Sequence, residues 1–186
     1  DELDMPWGIA IDNEGDIYVA DWNNHRAQKF SPDGTHLLTF GSGKGTGVSP
    51  DGGTPYSHTF QSHVAVNPRD LNHPTGLAVD GDGDVYVADW LNERVVIFND
   101  EADPLTTLRG DASGLSKWCE LSAEASLVLL KARGRLKNPG IVNYFRMPQA
   151  CTFDQENNRL FVVDTQRSRL QIYHKDKDYV DIQFNF

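Results

Sequence analysis

Cysteine is nearly absent: Cys119 and Cys151 are the only two among 186 residues. Two thiols make no disulfide framework. They read as small buried hydrophobes and leave the compartment open. Basic residues are also scarce, with 17 Lys and Arg against 27 Asp and Glu, a formal net charge of −10. Nucleic-acid binding draws on cationic groups that displace phosphate counterions, so this balance argues against it. The same charge disfavours docking on anionic lipid. No apolar run approaches the roughly 18 residues of a membrane-spanning helix. No secretory signal opens the chain. It begins at Asp1, and Met5 and Met147 are its only methionines. Its start is expected to be processed, cut, or continued upstream, and cytoplasmic and extracytoplasmic locations both stay open.

What the chain does have is glycine, 16 residues of it, and a modest hydrophobic fraction of 39%. That mixture suits short strands and turns better than a helical bundle. The length fits one domain, but self-comparison divides it. Pro6-Trp7-Gly8-Ile9-Ala10-Ile11-Asp12 is followed by Asn13-Glu14-Gly15-Asp16 and Ile17-Tyr18-Val19-Ala20-Asp21. Pro74-Thr75-Gly76-Leu77-Ala78-Val79-Asp80 is followed by Gly81-Asp82-Gly83-Asp84 and Val85-Tyr86-Val87-Ala88-Asp89. A looser third copy runs from Pro148 to Asp154 and from Leu160 to Asp164. In each copy an Arg follows the last Asp by five positions: Asp21 and Arg26, Asp89 and Arg94, Asp164 and Arg169. An aromatic, Phe30, Phe98 or Tyr173, closes each unit.

Within a copy, Gly8–Asp12 and Asp16–Asp21 read as strands joined by a hairpin that needs positive φ at Gly15 and, in the second copy, at Gly83. Ala27–Phe30 and Leu37–Phe40 supply a third and fourth strand. Val95–Phe98 and Leu105–Leu108 do so in the second copy, and Leu170–Tyr173 and Tyr179–Phe184 in the third. Four antiparallel strands per repeat make a propeller blade.

The segments Tyr18–Arg26, Tyr86–Arg94 and, more weakly, Phe161–Arg169 resemble the NHL repeat family of β-propellers. The resemblance implies an all-β fold of four-stranded blades. Three are visible: blade one at 6–40, blade two at 73–110 and blade three at 147–186. The family usually closes a ring of about six blades, within the known range of such folds. Three alone leave two apolar blade faces bare. The expected partner is therefore a protein or a second copy that completes the ring, unless the chain is half of a longer propeller.

The repeats are spaced more widely than the ~40–45 residues of a propeller blade, so two insertions are expected. Residues 41–72 read as a loop rich in Gly, Ser, Pro and Thr. Residues 111–146 read as a helical insertion, capped at Ser113 or Ser116, running to Lys131 or Arg133 and stopped by Gly134. Its apolar residues fall at three- and four-residue steps. Both insertions should gather on the face that carries the turn between second and third strands.

That face supplies the candidate binding residues: Trp22, Asn24, His25, Trp90 and Asn92, with His58 and His63 from the first insertion. Trp22 and Trp90 suit either partner anchoring or packing between blades. The Asp/Arg pairs read as structural, since a group that recurs in every blade serves the blade. Asp80-Gly81-Asp82-Gly83-Asp84 has the look of a calcium loop but lacks the closing Glu and flanking helices of an EF-hand. No zinc-type histidine spacing and no nucleophile–base arrangement is legible. The expected function is a non-enzymatic binding or scaffold module, with no catalytic residue, resident metal or cofactor. The resemblance also brings an alternative. Look-alike propellers include metal-dependent lactonases and a peptide-amidating lyase, so a hydrolase or lyase with Ca²⁺ or Zn²⁺ on the ring axis is the competing expectation.

Overall fold

The structure, a computed structural model, describes residues 2–45, 67–110 and 145–175. These residues form three antiparallel sheets. The first contains β1 (Pro6–Ile11), β2 (Ile17–Asp21), β3 (Arg26–Phe30) and β4 (His36–Phe40). The second contains β5 (Pro74–Val79), β6 (Val85–Asp89), β7 (Arg94–Phe98) and β8 (Pro104–Leu108). The third contains β9 (Pro148–Asp154), β10 (Arg159–Asp164) and β11 (Arg169–His174). Strands pair in chain order within each sheet, which is the meander of a propeller blade. The fourth strand expected in blade three, at 179–184, lies outside the described residues, and so does the expected helix between Ser113 and Arg133. Among the described residues there is no α-helix, only 3-10 turns at Trp90–Asn92 and Thr165–Arg167. None of their helices is long and apolar enough to cross a membrane.

Local chemistry sets the hairpins. The Asp12 carboxylate accepts from the backbone N–H groups of Glu14 and Asp16 and from the Tyr18 hydroxyl. Asp80 does the same for Asp82, Asp84 and Tyr86. A short acidic side chain thus takes up turn donors that the ladder leaves unpaired. Gly15 and Gly83 supply φ of +87° in both turns, a conformation that costs a side chain energy but glycine little.

Blades pack face to face. Strand parity sends Tyr18, Ala20, Ala27 and Phe40 of blade one against Leu77, Val79, Val85, Val87, Val96 and Phe98 of blade two. The opposite face of blade two, with Ala78, Tyr86 and Val95, meets Leu160, Val162 and Tyr173 of blade three. Blade two is covered on both sides, so β5 and β6 are buried at every position, while β1 is open on one face. Each fully buried Val or Phe stabilises by ~1.5–3 kcal/mol, so the joints hold the blades together. The inner strands come very close. A Cβ on Gly8 would collide with the Thr75 carbonyl, and one on Gly76 would lie 2.7 Å from Ala150 Cα. Within residues 67–72, which form no strand or helix, Leu71 is fully buried in the first joint.

The recurrent Asp and Arg face each other across the β2–β3, β6–β7 and β10–β11 hairpins. Nε–carboxylate distances are 2.8 Å for Asp21 and Arg26, 2.6 Å for Asp89 and Arg94, and 2.8 Å for Asp164 and Arg169. Each Asp also accepts the backbone N–H of the residue two before the inner-strand proline: Asp4, Asn72 and Arg146. The carboxylate therefore ties the start of the inner strand to the turn between the second and third. In blade two both partners are buried. Burial pushes the Asp89 carboxyl above the usual range, with the Arg94 charge and hydrogen bonds opposing. Breaking a buried pair by removing one partner costs ~3–5 kcal/mol, because a lone charge stays behind. Arg94→Met should lower the unfolding free energy obtained from urea titration by that amount. Arg26→Met and Arg169→Met should lower it less, since those side chains are 19% and 23% exposed. Equal losses at all three sites would refute this ranking.

Candidate functional site

The turns after β2 and β6 bring the sequence-predicted tryptophans to one face. Trp22 and Trp90 lie 6.3 Å apart by ring centroids, and Trp7 lies 5.8 Å from Trp22. His73, just before β5, sets its ring edge-on to Trp22 at 4.1 Å and to His25 at 4.3 Å. His25 and His73 both have positive φ, 53° and 54°. Trp22 is partly buried and its indole N–H is buried without a hydrogen-bond partner. Three indoles and two imidazoles thus form a continuous aromatic surface across the first blade joint.

The first insertion starts over this surface. A Cβ on Gly45 would lie 2.8 Å from the His25 ring, and one on Gly43 would lie 3.6 Å from the Asn24 carbonyl. Its two described ends meet: the Ser42 N–H donates to the Arg69 carbonyl at 2.6 Å and the Ser42 hydroxyl to Asp70 at 2.7 Å. The described ends of this insertion lie beside Trp22–His25, and residues 46–66 lie outside the described residues. His58 and His63 lie outside the described residues, and with them any contact to this face.

Asn24 and Asn92 sit on the same face but turn inward. Asn24 Nδ2 donates to Asp21 at 2.9 Å, and Asn92 Nδ2 donates to Asp89 at 2.8 Å and to the Asp70 carbonyl at 3.0 Å. These amides complete the shells of the buried carboxylates. Trp7 and His73, absent from the expected binding set, are the residues the structure adds. Trp7 is an unusually large residue beside the glycine of a close-packed inner strand, a signal visible in the sequence. His73 is revealed only by the packing of two blades.

The histidine pair has one protonation pattern. The His73 N–H donates to His25 Nδ1 at 3.2 Å. A neutral imidazole with one nitrogen accepting carries its proton on the other, so His25 holds its hydrogen on Nε2. Neither nitrogen then offers a lone pair to a metal. His73 Nδ1 lies 2.7 Å from the Asn72 Oδ1 and donates to it. Burial pushes the His25 pKa below the ordinary 6.5, so the ring is neutral at pH 7. No group of three or more His, Cys, Asp or Glu suited to a metal occurs among the described residues.

The calcium-like loop has a cation of its own. Lys175 Nζ lies 2.6 Å from Asp80, 2.9 Å from Asp82 and 2.9 Å from Asp84. Burial alone would lower its pKa, but hydrogen bonds to the three carboxylates raise it above the ordinary lysine value. In blade one the same role falls to Lys29, from the same sheet, at 3.3 Å from Asp12 and 2.9 Å from Asp16. Ile97 occupies the matching place in blade two, so blade three provides the charge. Cys151 lies in the second joint with its Sγ 3.5 Å from the Tyr86 carbonyl. Burial pushes its thiol up to about 12, which rules it out as a thiolate nucleophile near neutral pH.

The NHL repeat matches at residues 3–30 and 71–98. The chain is 27% identical over 175 residues to Protein SUPPRESSOR OF QUENCHING 1, chloroplastic, of Arabidopsis thaliana, covering 88% of this chain and 15% of the relative. It is 28% identical over 177 residues to peptidyl-glycine alpha-amidating monooxygenase of Mus musculus, covering 91% of this chain and 15% of the relative. It thus spans only a small part of either protein. A solved structure of a Bacteroides thetaiotaomicron protein of unknown function superposes with a TM-score of 0.56 at 16% identity, over 94% of this chain and 36% of that one. This likeness is one of fold.

Two measurements check the electrostatics of this region. A histidine whose folded pKa is depressed contributes stability that is complete above its unfolded pKa and is lost as pH falls through the folded one. The wild type should therefore lose stability below about pH 6.5 relative to His25→Asn, since Asn tolerates positive φ. Parallel pH profiles would contradict the assignment. Lys175→Gln leaves Asp80, Asp82 and Asp84 facing one another. Its melting temperature should fall at low salt and recover in part at high salt, where their repulsion is screened. An unchanged melting temperature would discount the clasp.

Proposed function

We propose that this chain, an NHL-repeat β-propeller protein by its matched repeats and its fold, works as a binding module. The surface it uses is the aromatic face of Trp7, Trp22, Trp90 and His25, with the buried His73 packed beneath it. One observation supports the reading above the rest: indoles from the starts and turns of two blades converge beside the root of the first insertion. Tryptophan is the commonest anchor of binding energy at interfaces because it covers much area with little entropy loss. The ligand class that suits such a surface is an extended peptide with apolar or cationic side chains. Indole faces attract cations, and the Asp4 carboxylate lies on the same edge, where it accepts from the Asn23 amide.

Three features of the described residues favour binding over catalysis. The buried carboxylates Asp21, Asp89 and Asp164 are engaged by arginines and backbone amides. Cys151 is protonated. His25 is neutral and held by the His73 amide. The likeness to an amidating monooxygenase supports a second reading, a metal-dependent lyase, whose ligands would come from outside the described residues.

Panning the 186-residue chain against a library of random linear peptides tests the first reading. Wild-type protein should enrich a consensus containing an aromatic or a basic residue. Trp7→Ala and Trp90→Ala should each weaken binding of the consensus peptide by about tenfold or more, the loss expected of an interface anchor. Enrichment that survives both substitutions would place binding elsewhere. Stoichiometric zinc or calcium by elemental analysis, with no peptide enriched, would favour the lyase.

A further inference from the structure

The face that carries the tryptophans runs across all three blades, and its charge changes sign on the way. Each blade contributes the segment that leads into its inner strand and the turn between its second and third strands. The two are joined alike in every blade: the N–H groups of Asn23, Leu91 and Gln166 donate to the carbonyls of Asp4, Asn72 and Arg146 at 3.1, 3.2 and 3.2 Å. Equivalent positions therefore recur along one face. In the leading segment that position is Asp4, then Asn72, then Arg146. At the third residue of the turn it is Asn24, then Asn92, then Arg167. Trp7, Trp22 and Trp90 form the aromatic row at the first joint, and Thr165 takes the tryptophan's place in blade three. An acidic group thus flanks the row in blade one and a basic one follows it in blade three.

Arg167 breaks the repeat in its bonding as well as its charge. Asn24 and Asn92 give their amides to the clamp carboxylates Asp21 and Asp89. The clamp of blade three, Asp164, takes the Arg146 N–H and the Arg169 Nε. The Arg167 Nε is buried and has no hydrogen-bond partner among the described residues. A buried donor left unpaired is costly, and two blades do without a cation at this position. The planar fork of a guanidinium matches a carboxylate. We infer that Arg167 is the anion-binding end of the aromatic face and takes an Asp or Glu side chain of a peptide whose apolar and basic residues lie over the tryptophans and Asp4. This rests on the peptide-binding reading of the same face and adds the ligand's charge order. Neighbouring sheets pack ~10 Å apart, so two blade steps cover up to ~20 Å, and an extended chain rises ~3.3 Å per residue. The ligand's two charges are then ~six residues apart. The Gln166 and Ser168 N–H groups are already bonded to the Arg146 and Thr165 carbonyls. The turn therefore lacks the free amides that capture a chain terminus, which makes the ligand carboxylate that of a side chain. Opposite charges at the two ends orient the peptide and reject one charged alike at both.

Fluorescence anisotropy of the 186-residue chain with nine capped heptapeptides tests this. All carry a central tryptophan, and the two ends are lysine, glutamine or glutamate in every combination. Wild-type protein should bind one of the two lysine–glutamate peptides tightest, by about tenfold over the same peptide with glutamine for glutamate. That margin should shrink at high salt. Arg167→Gln should abolish the margin and leave lysine–glutamine binding unchanged. Arg167→Glu should make the dilysine peptide the tightest, a gain that a misfolded variant cannot produce. Trp90→Ala should weaken all nine. If the nine bind wild type alike and Trp90→Ala weakens them all, the aromatic face binds peptides and the role of Arg167 alone is wrong. A wild-type preference for the dilysine peptide overturns that role too. If none of the nine binds, the peptide-binding reading falls and this inference with it. An uncapped peptide with lysine at its start and glutamine at its free end, binding tighter than the capped lysine–glutamate peptides, would assign the carboxylate to a chain terminus and overturn the side-chain choice.

Discussion

Each blade closes around a carboxylate taken out of water. Asp21, Asp89 and Asp164 are fully buried at the end of the second strand, where an unpaired charge would cost several kcal/mol. The chain meets that cost with an arginine from the facing strand and a backbone amide from the segment that leads into the inner strand. The clamp therefore does more than neutralise a charge. It decides where the inner strand starts, which way the second turn points, and which side chains reach the face beside it. Asn24 and Asn92, Trp22 and Trp90 take their places from it. The αL residues His25, Glu93 and Ser168 sit immediately before the clamping arginines, so the turn conformation is part of the same unit.

From the clamp outward, the structure is governed by what each face of a sheet meets. The middle blade is buried on both sides and the outer two on one, from nearly the same sequence pattern. The joints are cross-linked by polar contacts as well as packing. The Gln155 amide donates to the Val79 carbonyl at 2.8 Å, the Tyr173 hydroxyl to the Gly110 carbonyl at 2.6 Å, and Lys175 reaches the blade-two hairpin. These contacts span 63 to 95 residues. They explain why an acidic loop with the outline of a calcium site has an ammonium at its carboxylates instead.

Much of this was legible in the chain. Repeats at matched spacing fixed the blades, because a strand pair needs alternation and a hairpin needs Asp and Gly at set positions. The Asp/Arg pairs were legible because five residues is the span of the β2–β3 hairpin. The aromatic face was legible in part. Trp22 and Trp90 follow the clamp directly and were expected on one face, but Asn24 and Asn92 point inward to the carboxylates. His73 joins the site by packing on the preceding blade, 48 residues from His25. No local pattern marks that contact.

Sequence alone determined the blade: its strand order, its turns and its buried charge pair, all set by interactions within about 20 residues. Tertiary structure decided what each blade face means. Ile9 and Leu77 share one repeat position, yet one is bare and the other buried. Burial belongs to the pair of surfaces and is set only when a neighbouring sheet arrives. The same holds for the acidic hairpin of blade two, where Asp80, Asp82 and Asp84 meet the Lys175 ammonium that packing brings from blade three.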